Sequence, residues 1–392
     1  MKNPEDHIDV LIIGGGPVGL FLAISLLKEG IHCQVLEKRR DPIPDSRSLG
    51  IHPVSLELFD ELGITAPFLE SGLKIKKGIA HTGLKKLGEI SFEQCPGPHN
   101  YILACPQFTT EKILRNELQK LDERALITGA EFLEFSKNNH SLNVSYRSDE
   151  NKLHNVKTNW LIGCDGKNSL VRQKASIHYS GKRYHDTYIM GDFDDTTDFG
   201  DDAAVFLPKD GLIECFPLPS GMRRWVIKTD SYIKKPTQED IATLVKDRLG
   251  YNLHSIESTM ISSFGVQHFM AETFAKGRVI LAGDAAHVVS PIGGQGMNSG
   301  WLDCREILRI FKQNRQGAEG NNIEPKSFNS YSEKQKKVVR KVARRAEINM
   351  ALGRKRSIPA LRNLFIQGVL RSPLKNKIAE LFTMRGLEHW WV

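Results

Sequence analysis

The chain has 392 residues, of which 40% are hydrophobic and 26% charged, and its formal net charge is +8. This composition is typical of globular proteins and excludes wholesale disorder, collagen and a coiled coil, and the length predicts two or three domains. Residues 330–392 hold 15 basic and 4 acidic side chains, a net +11, which leaves −3 for residues 1–329. A slightly acidic body argues against nucleic-acid binding over the whole surface, so no nucleic-acid partner is expected.

Six scattered cysteines show no metal-ligand spacing, so we expect no metal site and a reducing, cytoplasmic compartment. The first residues carry acids and no apolar run, and this pattern does not predict a secretory signal. Residues 10–27 are long and apolar enough to suggest a membrane span, but glycines and Pro17 interrupt their middle. A strand, a turn and a helix explain this segment better.

The first motif of the chain is a glycine-rich turn. Gly14, Gly16 and Gly19 match G-x-G-x-x-G. In such a turn the first glycine permits the tight bend, the second lets the backbone approach a pyrophosphate, and the third lets the helix pack close to the strand. The helix N-terminus adds free N–H groups and a positive dipole end.

The elements around this turn make the motif specific. A β-branched run precedes it, an apolar helix follows, and a second strand then closes at Glu37, in the ranges 9–13, 20–28 and 31–36. Glu37 lies 18 residues after Gly19, where a carboxylate accepts from a ribose hydroxyl. This acid argues against a bound 2′-phosphate, and hence against NADP at this site. The unit alone does not choose between NAD and FAD.

Two later strands also end at an aspartate. The first runs from residue 160 into Asp165-Gly166, and the second runs from residue 278 into Gly283-Asp284. A loop with several glycines and a helix over 299–311 follow the second strand. A carboxylate at a strand end, before a glycine loop and a helix N-terminus, suits a chain of sugar-like hydroxyls next to an anion.

These three motifs, in this order, resemble the class A flavoprotein aromatic hydroxylases, the para-hydroxybenzoate hydroxylase-like fold. The resemblance covers roughly residues 8–55, 100–120, 155–175 and 275–305. It implies FAD as the cofactor and assigns FAD-binding roles to Gly14, Gly16, Pro17, Gly19, Glu37, Lys38, Arg47, Gln107, Asp165, Gly166, Asp284, Pro291, Gly293, Gly294, Gly296, Met297 and Asn298.

Several of these assignments have simpler explanations. Arg47 is also explained by a surface salt bridge, and Gln107 with Glu111 by a helix cap. Arg172 matches the family's aspartate–glycine motif, which touches the FAD pyrophosphate and helps with the nicotinamide cofactor. His287 either contacts the flavin or stabilises its loop.

The resemblance also implies an α/β fold: a Rossmann-like FAD-binding domain, an inserted β-sheet substrate domain and C-terminal helices. We place the discontinuous FAD-binding domain at 1–72, 102–180 and 268–329, the substrate domain at 73–101 and 181–267, and a basic helical segment at 330–392. Within the substrate domain, strands are predicted at 184–194, 203–208, 212–218 and 223–229.

Four side chains of these strands, Phe206, Glu214, Phe216 and Trp225, are candidates for substrate contact. Each is better explained from the sequence as a core or outer-face residue. No residue is therefore assigned a catalytic role.

The implied reaction is a hydroxylation. NADH or NADPH reduces FAD, O2 adds at the flavin C4a position, and the hydroperoxide passes a hydroxyl to an aromatic, phenolic or quinone-like molecule. No second G-x-G-x-x-G follows a strand, so the nicotinamide is expected to bind transiently, and the choice between NADH and NADPH stays open. The alternatives are a reductase of isoprenoid lipids and a halogenase, although the halogenase signature W-x-W-x-I-P is absent. A regulatory nucleotide-binding module fits least.

The basic C-terminal segment has apolar residues at helical spacing, interrupted by Pro359 and Pro373. Such helices are expected to pack across both domains. A second interpretation is a basic amphipathic face, ending in Trp390 and Trp391, that contacts an anionic membrane from the cytoplasmic side. The two interpretations are compatible.

Overall fold

The computed structural model describes residues 7–44, 48–83, 85–315 and 323–387. The β-strands of these ranges are β1 His7–Ile13, β2 Cys33–Glu37, β3 Gly50–Ile51, β4 Leu73–Ile75, β5 Lys77–Thr82, β6 Lys85–Ser91, β7 Ile102–Ala104, β8 Leu126–Thr128, β9 Ala130–Asn138, β10 Ser141–Ser148, β11 Leu153–Gly163, β12 Tyr179–Asp194, β13 Ala203–Phe206, β14 Ile213–Leu218, β15 Met222–Thr229, β16 Ser258–Ala271, β17 Ala275–Lys276, β18 Val279–Leu281 and β19 His287–Val288. The α-helices are α1 Pro17–Lys28, α2 Pro53–Glu61, α3 Thr65–Ser71, α4 Gln107–Leu121, α5 Leu170–Lys174, α6 Gln238–Leu249, α7 Gln295–Arg315, α8 Asn329–Gly353, α9 Pro359–Arg371 and α10 Leu374–Phe382.

The first large sheet has a parallel centre in the order β18-β11-β1-β2-β8. Its strands have continuous apolar sequences because both faces of the sheet are buried. Residues 10–13 of β1, for example, are all buried. An antiparallel meander of β9 and β10 extends from β11. Parallel strands bring their carboxyl ends to the same edge, so the loops after β1, β2, β11 and β18 meet there.

The second large sheet has the order β19-β16-β12-β15-β14-β13-β5-β6. It is antiparallel except between β13 and β5. The four strands predicted for the substrate domain are confirmed as β12 to β15, although β12 begins earlier, at Tyr179. The sheet also includes β19, which the predicted boundaries assign to the other domain. The domain boundaries themselves stay a prediction.

The two faces of the second sheet differ. One face, the outer face, packs against α6 and buries Phe206, Trp225 and Ile213. The opposite face, the inner face, carries Met190 and Val226 and packs towards the loop after β19 and towards α8 and α9. Of the candidate substrate contacts, Phe206 and Trp225 therefore lie on the side away from that loop.

The C-terminal helices connect the two sheets, as the packing interpretation predicts. Near the start of α8, the Tyr331 hydroxyl donates to the carbonyl of Leu281 in the first sheet, at 2.7 Å. Just after its end, Arg354 pairs with Asp186 of the second sheet, at 2.7 Å between Nη2 and Oδ2. Pro359 lies in the first turn of α9, where no N–H is needed. Among the described residues, no helix is both long and apolar enough to cross a bilayer.

Candidate cofactor and active site

The three glycines of the first motif have different surroundings. Gly14 has φ of +108°, and a Cβ there would lie 2.4 Å from the carbonyl oxygen of Cys164. A Cβ at Gly19 would lie 2.0 Å from the carbonyl oxygen of Gly14. Gly14 and Gly19 are therefore required by the tight packing of the turn, as predicted. At Gly16 nothing lies within 4 Å of a Cβ, so this side of the turn is open. Pro17 begins α1 directly after it.

Glu37 locks the turn at the end of β2. Its Oε2 accepts a hydrogen bond from the Gly15 N–H at 2.7 Å, and its Oε1 accepts from the backbone and side chain of Arg39. The residue is only 4% exposed. Oε2, which accepts one hydrogen bond, still has a lone pair for a further donor such as a ribose hydroxyl. Lys38 points outward and lines a surface pocket with Arg39.

Asp165, after β11, belongs to a helix cap. Its Oδ2 accepts from the backbone N–H groups of Leu170 and Val171, at 2.7 and 3.1 Å, and Gly166 takes φ of +79° in the same turn. The other oxygen, Oδ1, is buried and has no hydrogen-bond partner in the structure as described. Burial raises the pKa of this carboxyl group. One half of the carboxylate thus holds the loop, and the other half is available to a ligand.

Arg172 links this loop to the one after β18. Its guanidinium donates to the carbonyls of Lys167 and Ala285, at 2.9 and 2.8 Å, and stacks on the Tyr179 ring. It is 5% exposed. These contacts assign Arg172 a positioning role, because its donors already have protein acceptors.

A buried pair, Asp303 and His287, holds the loop that carries Asp284. Asp303 Oδ2 accepts from the Gly283 N–H at 2.9 Å and contacts His287 Nε2 at 2.7 Å. Burial lowers the pKa of His287, but the charge and hydrogen bond of Asp303, together with the charge of Asp284, outweigh it and the net shift is upward. His287 therefore stabilises the loop, one of the two roles left open by the sequence. Asp284 itself is exposed; its backbone carbonyl accepts from the Tyr179 hydroxyl at 3.3 Å, whereas its carboxylate makes no hydrogen bond to a described residue.

The loop after β19 bends through two glycines with positive φ, Gly293 at +93° and Gly294 at +66°. Pro291 is exposed, while Gly296 and Met297, in the first turn of α7, are half-buried. The first turn of a helix has free N–H groups. It thus offers donors and a positive dipole end to an acceptor on a ligand.

Asn298 holds this loop against the segment before α2. Its Oδ1 accepts from the His52 N–H and the Ser55 hydroxyl, and its Nδ2 donates to the carbonyls of Gly50 and Gly294. All four contacts are 2.8–2.9 Å, and the residue is fully buried. Any contribution of Asn298 to a bound cofactor therefore comes from its backbone.

His52 belongs to the site and is absent from the sequence prediction. Its Nε2 would lie 3.4 Å from a Cβ at Gly294, its Nδ1 is buried without a described partner, and it is 2% exposed. Burial lowers its pKa to about 4, so the imidazole is neutral at pH 7. The one local signal is a histidine immediately before Pro53 at a helix start.

Gln107 and Glu111 lie on α4 at the same edge. The Gln107 side chain donates to Glu111 Oε1 at 2.8 Å, and the Gln107 N–H donates to the carbonyl of Ser48. Glu111 Oε2 is buried without a described partner, and burial raises the pKa of this carboxyl group. Arg47, next to Ser48 in the sequence, lies outside the described residues.

The polar groups at this edge that have no protein partner are of the kinds that bind FAD. The turn is open beside Gly16, Asp284 is exposed and unpaired, and a buried oxygen of Asp165 has no partner. Two helices, α1 and α7, begin at the same edge. This set combines N–H donors for a pyrophosphate with carboxylates for hydroxyl groups. The fold and the site thus define a dinucleotide-binding protein whose free groups suit FAD.

Comparison with known proteins places the chain in a family. Residues 7–346 match the family described as FAD binding domain, and the chain belongs to that family. The predicted α/β fold, with an FAD-binding part, a second sheet and C-terminal helices, is confirmed.

Individual relatives are monooxygenases by name. An uncharacterised aromatic compound monooxygenase of Bacillus subtilis strain 168 is 30% identical over 307 residues, 76% of this chain and 60% of that protein. Pentachlorophenol 4-monooxygenase of Sphingobium chlorophenolicum is 30% identical over 304 residues, 75% of this chain and 56% of that protein. The chain thus spans about three fifths of the length of these relatives.

A solved structure covers the fold more fully. The crystal structure of p-nitrophenol 4-monooxygenase from Pseudomonas putida matches with a TM-score of 0.84 over 97% of both chains. The two sequences are 20% identical. This similarity establishes the fold.

Proposed function

We propose that the protein is an FAD-dependent monooxygenase that hydroxylates an aromatic, phenolic or quinone-like small molecule, with NADH or NADPH as transient co-substrate. One observation carries the proposal: Ile292, in the loop that follows Pro291, packs in one apolar cluster with Tyr188 and Val226 of the inner face. The edge with the cofactor-binding geometry therefore lies directly against a sheet face lined by aromatic and aliphatic side chains. An aromatic ring placed between the two meets apolar surface on the sheet side.

The relatives support the same reaction class. The two curated proteins are named for an aromatic compound and for pentachlorophenol. Neither name points to reduction of an isoprenoid lipid or to halogenation, the alternatives left open by the sequence. Bound FAD would supply the redox chemistry and the activation of O2.

The chain's own residues hold and orient the reactants. We propose that the seventeen residues named from the sequence line the FAD site, with Gly16 and the N-terminus of α1 at the pyrophosphate and Glu37 and Asp284 at hydroxyl groups. The inner face of the second sheet and the loop around Pro291 enclose the substrate and exclude water. The predicted domains then correspond to cofactor binding and substrate binding.

Reconstitution with FAD tests this proposal. We expect the purified protein to be yellow, and phenols from a panel of phenols, naphthols and quinones to stimulate its oxidation of NADH or NADPH. Products carrying ¹⁸O from ¹⁸O2, detected by mass spectrometry, would establish hydroxylation. A colourless protein that takes up no FAD would contradict the proposal. Reduction of a quinone without oxygen incorporation would instead support the reductase.

We further propose that the protein is cytoplasmic and that α9 contacts an anionic membrane surface. Leu361, Leu364 and Phe365 lie on one side of α9 and are 74%, 67% and 65% exposed. Exposed basic residues occur at both ends of the helix, among them Arg356 and Arg371. Apolar side chains flanked by positive charge suit the interface of a bilayer with anionic headgroups.

Replacement of Leu361, Leu364 and Phe365 together by Gln should abolish sedimentation with phosphatidylglycerol vesicles, since it removes the apolar contact and keeps the charge. The matched control is Leu153→Gln, because Leu153 is 72% exposed on β11, away from the C-terminal helices. Wild type and control should sediment with phosphatidylglycerol but not with phosphatidylcholine. If all three proteins sediment equally with the vesicles, or if none of them sediments, α9 has a packing role alone.

A further inference from the structure

We propose that Glu214 accepts a hydrogen bond from the ring hydroxyl of the substrate. This inference rests on the function proposed above and names a residue for which the sequence favours an ordinary structural role. Glu214 lies in the middle of β14, between Val205 of β13 and Val226 of β15. Residues directly opposite each other in a sheet share a face, so Glu214 points to the inner face with Val226.

The inner face is not fully covered around Glu214. Side chains in this part of the sheet, including Val205, Phe216 and Phe264, remain partly accessible. Glu214 also keeps accessible surface. Ile292, from the loop after β19, packs in the same apolar cluster as Tyr188 and Val226. In this proposal the substrate enters the partly accessible region between Glu214 and Ile292, called the recess below.

The carboxylate has no protein partner. Glu214 makes no hydrogen bond or ion pair with any described residue, and burial alone raises its pKa to about 7. Glu214 is half-buried, and native proteins usually pair carboxyl groups that are removed from water. By contrast, Asp192, on β12 of the same face, is fully paired with Arg224 through two hydrogen bonds. A ligand that covers Glu214 would therefore have to bring a donor for it.

A neighbouring side chain indicates the polarity of the recess. Tyr188 lies on the same face, its hydroxyl is buried without a described partner, and its ring stacks on Phe264. Tyr188 lies opposite Lys228 and Glu214 lies opposite Val226, so the two residues flank β15 on the same face, two positions out of register. Burial raises the pKa of Tyr188, and the negative charge of Glu214 raises it further. An apolar surface with one unpaired carboxylate and one unpaired hydroxyl suits a flat ring with a hydroxyl group. It suits a ring with a carboxylate poorly, because the two anions would repel.

The test is calorimetric binding of 1-naphthol and 1-methoxynaphthalene to the FAD-loaded protein, at a pH above the Glu214 pKa of about 7. Wild type should bind the naphthol more tightly, since only the naphthol has an O–H to donate. Glu214→Gln should lower the affinity for the naphthol roughly 10- to 100-fold, as expected for a hydrogen bond to a charged acceptor, and leave the methyl ether unaffected. Glu257→Gln, an exposed carboxyl outside the recess, is the matched control.

Glu214→Leu gives a second, independent result. This variant should have a higher melting temperature than wild type, because an unpaired, half-buried carboxyl on an apolar face is replaced by an apolar side chain. It should also lose the preference for the naphthol. An equal loss of affinity for both probes, or no loss for either, would overturn the proposal. If wild type hydroxylates phenols while Glu214→Gln binds them normally, only this inference fails and the proposed function stands.

Discussion

Replacement of Gly16 by Ala is expected to leave the protein folded and to lower its affinity for FAD roughly 10- to 100-fold. The turn has open space at Gly16, with nothing within 4 Å of an added Cβ, so the methyl group causes no clash in the protein itself. It would occupy the side on which we place the pyrophosphate, where overpacking of about 1–3 kcal/mol is typical. The measurement is titration of apo-protein with FAD, followed by flavin fluorescence.

Gly19→Ala provides the contrast within the same motif. A Cβ at Gly19 would lie 2.0 Å from the carbonyl oxygen of Gly14, so α1 must shift away from the turn. This variant should lose both stability and FAD binding. Gly368→Ala is the neutral control, because Gly368 lies on α9 with nothing within 4 Å. Normal FAD affinity of Gly16→Ala would show that the pyrophosphate does not lie beside this residue.

Replacement of Asp303 by Ala is expected to lower the free energy of unfolding of the apo-protein by about 3–5 kcal/mol, as is typical when one partner of a buried pair is removed. Asp303 and His287 are each no more than 1% exposed, and Asp303 also accepts from the Gly283 N–H. The variant leaves His287 and this N–H without an acceptor. Urea denaturation, followed by far-ultraviolet circular dichroism, measures the effect.

Asp284→Ala is the matched control for the Asp303 variant. Asp284 is one residue from Gly283 but is exposed and unpaired. Its removal should leave the free energy of unfolding unchanged and weaken FAD binding. Equal stability of Asp303→Ala and wild type would contradict the positioning role of the buried pair.

The same pair predicts a pH dependence with a defined sign. Asp303 raises the pKa of His287 in the folded protein above its ordinary value of 6.5. The stabilisation is therefore complete below pH 6.5 and is lost as the pH rises through the higher, folded-state pKa. The difference in stability between wild type and Asp303→Asn should shrink over that range.

The local character of the cofactor motifs explains why the sequence alone was informative about them. The strand, glycine turn, helix and second strand occupy consecutive residues, and Gly14 and Gly19 have the conformation and close packing that the motif predicts. The four strands of the second sheet were also predictable, because turn residues separate alternating or apolar runs. These patterns, together with the two later aspartate motifs, carry the resemblance to a family that binds FAD.

The inner and outer faces of the second sheet were decided only by the tertiary structure. Phe206, Glu214, Phe216 and Trp225 are equivalent in the sequence, since each lies in a short strand with apolar neighbours. Packing against α6 buries Phe206 and Trp225, while Glu214 and Phe216 face the recess. Side-chain direction in a strand depends on what covers each face, and that partner is distant in the chain.

Long-range contacts also decided which polar residues are free to bind. By sequence, Asp165, Asp284 and Asn298 are similar polar residues beside glycine loops. In the fold, Asn298 is fully used by the segment before α2, half of Asp165 caps α5, and Asp284 remains free. The sequence by itself determined the cofactor-binding framework, because its turns depend on neighbouring residues. The tertiary structure determined which side chains face a ligand, because partners such as those of Asn298 in the segment around His52 lie more than 240 residues away in the chain.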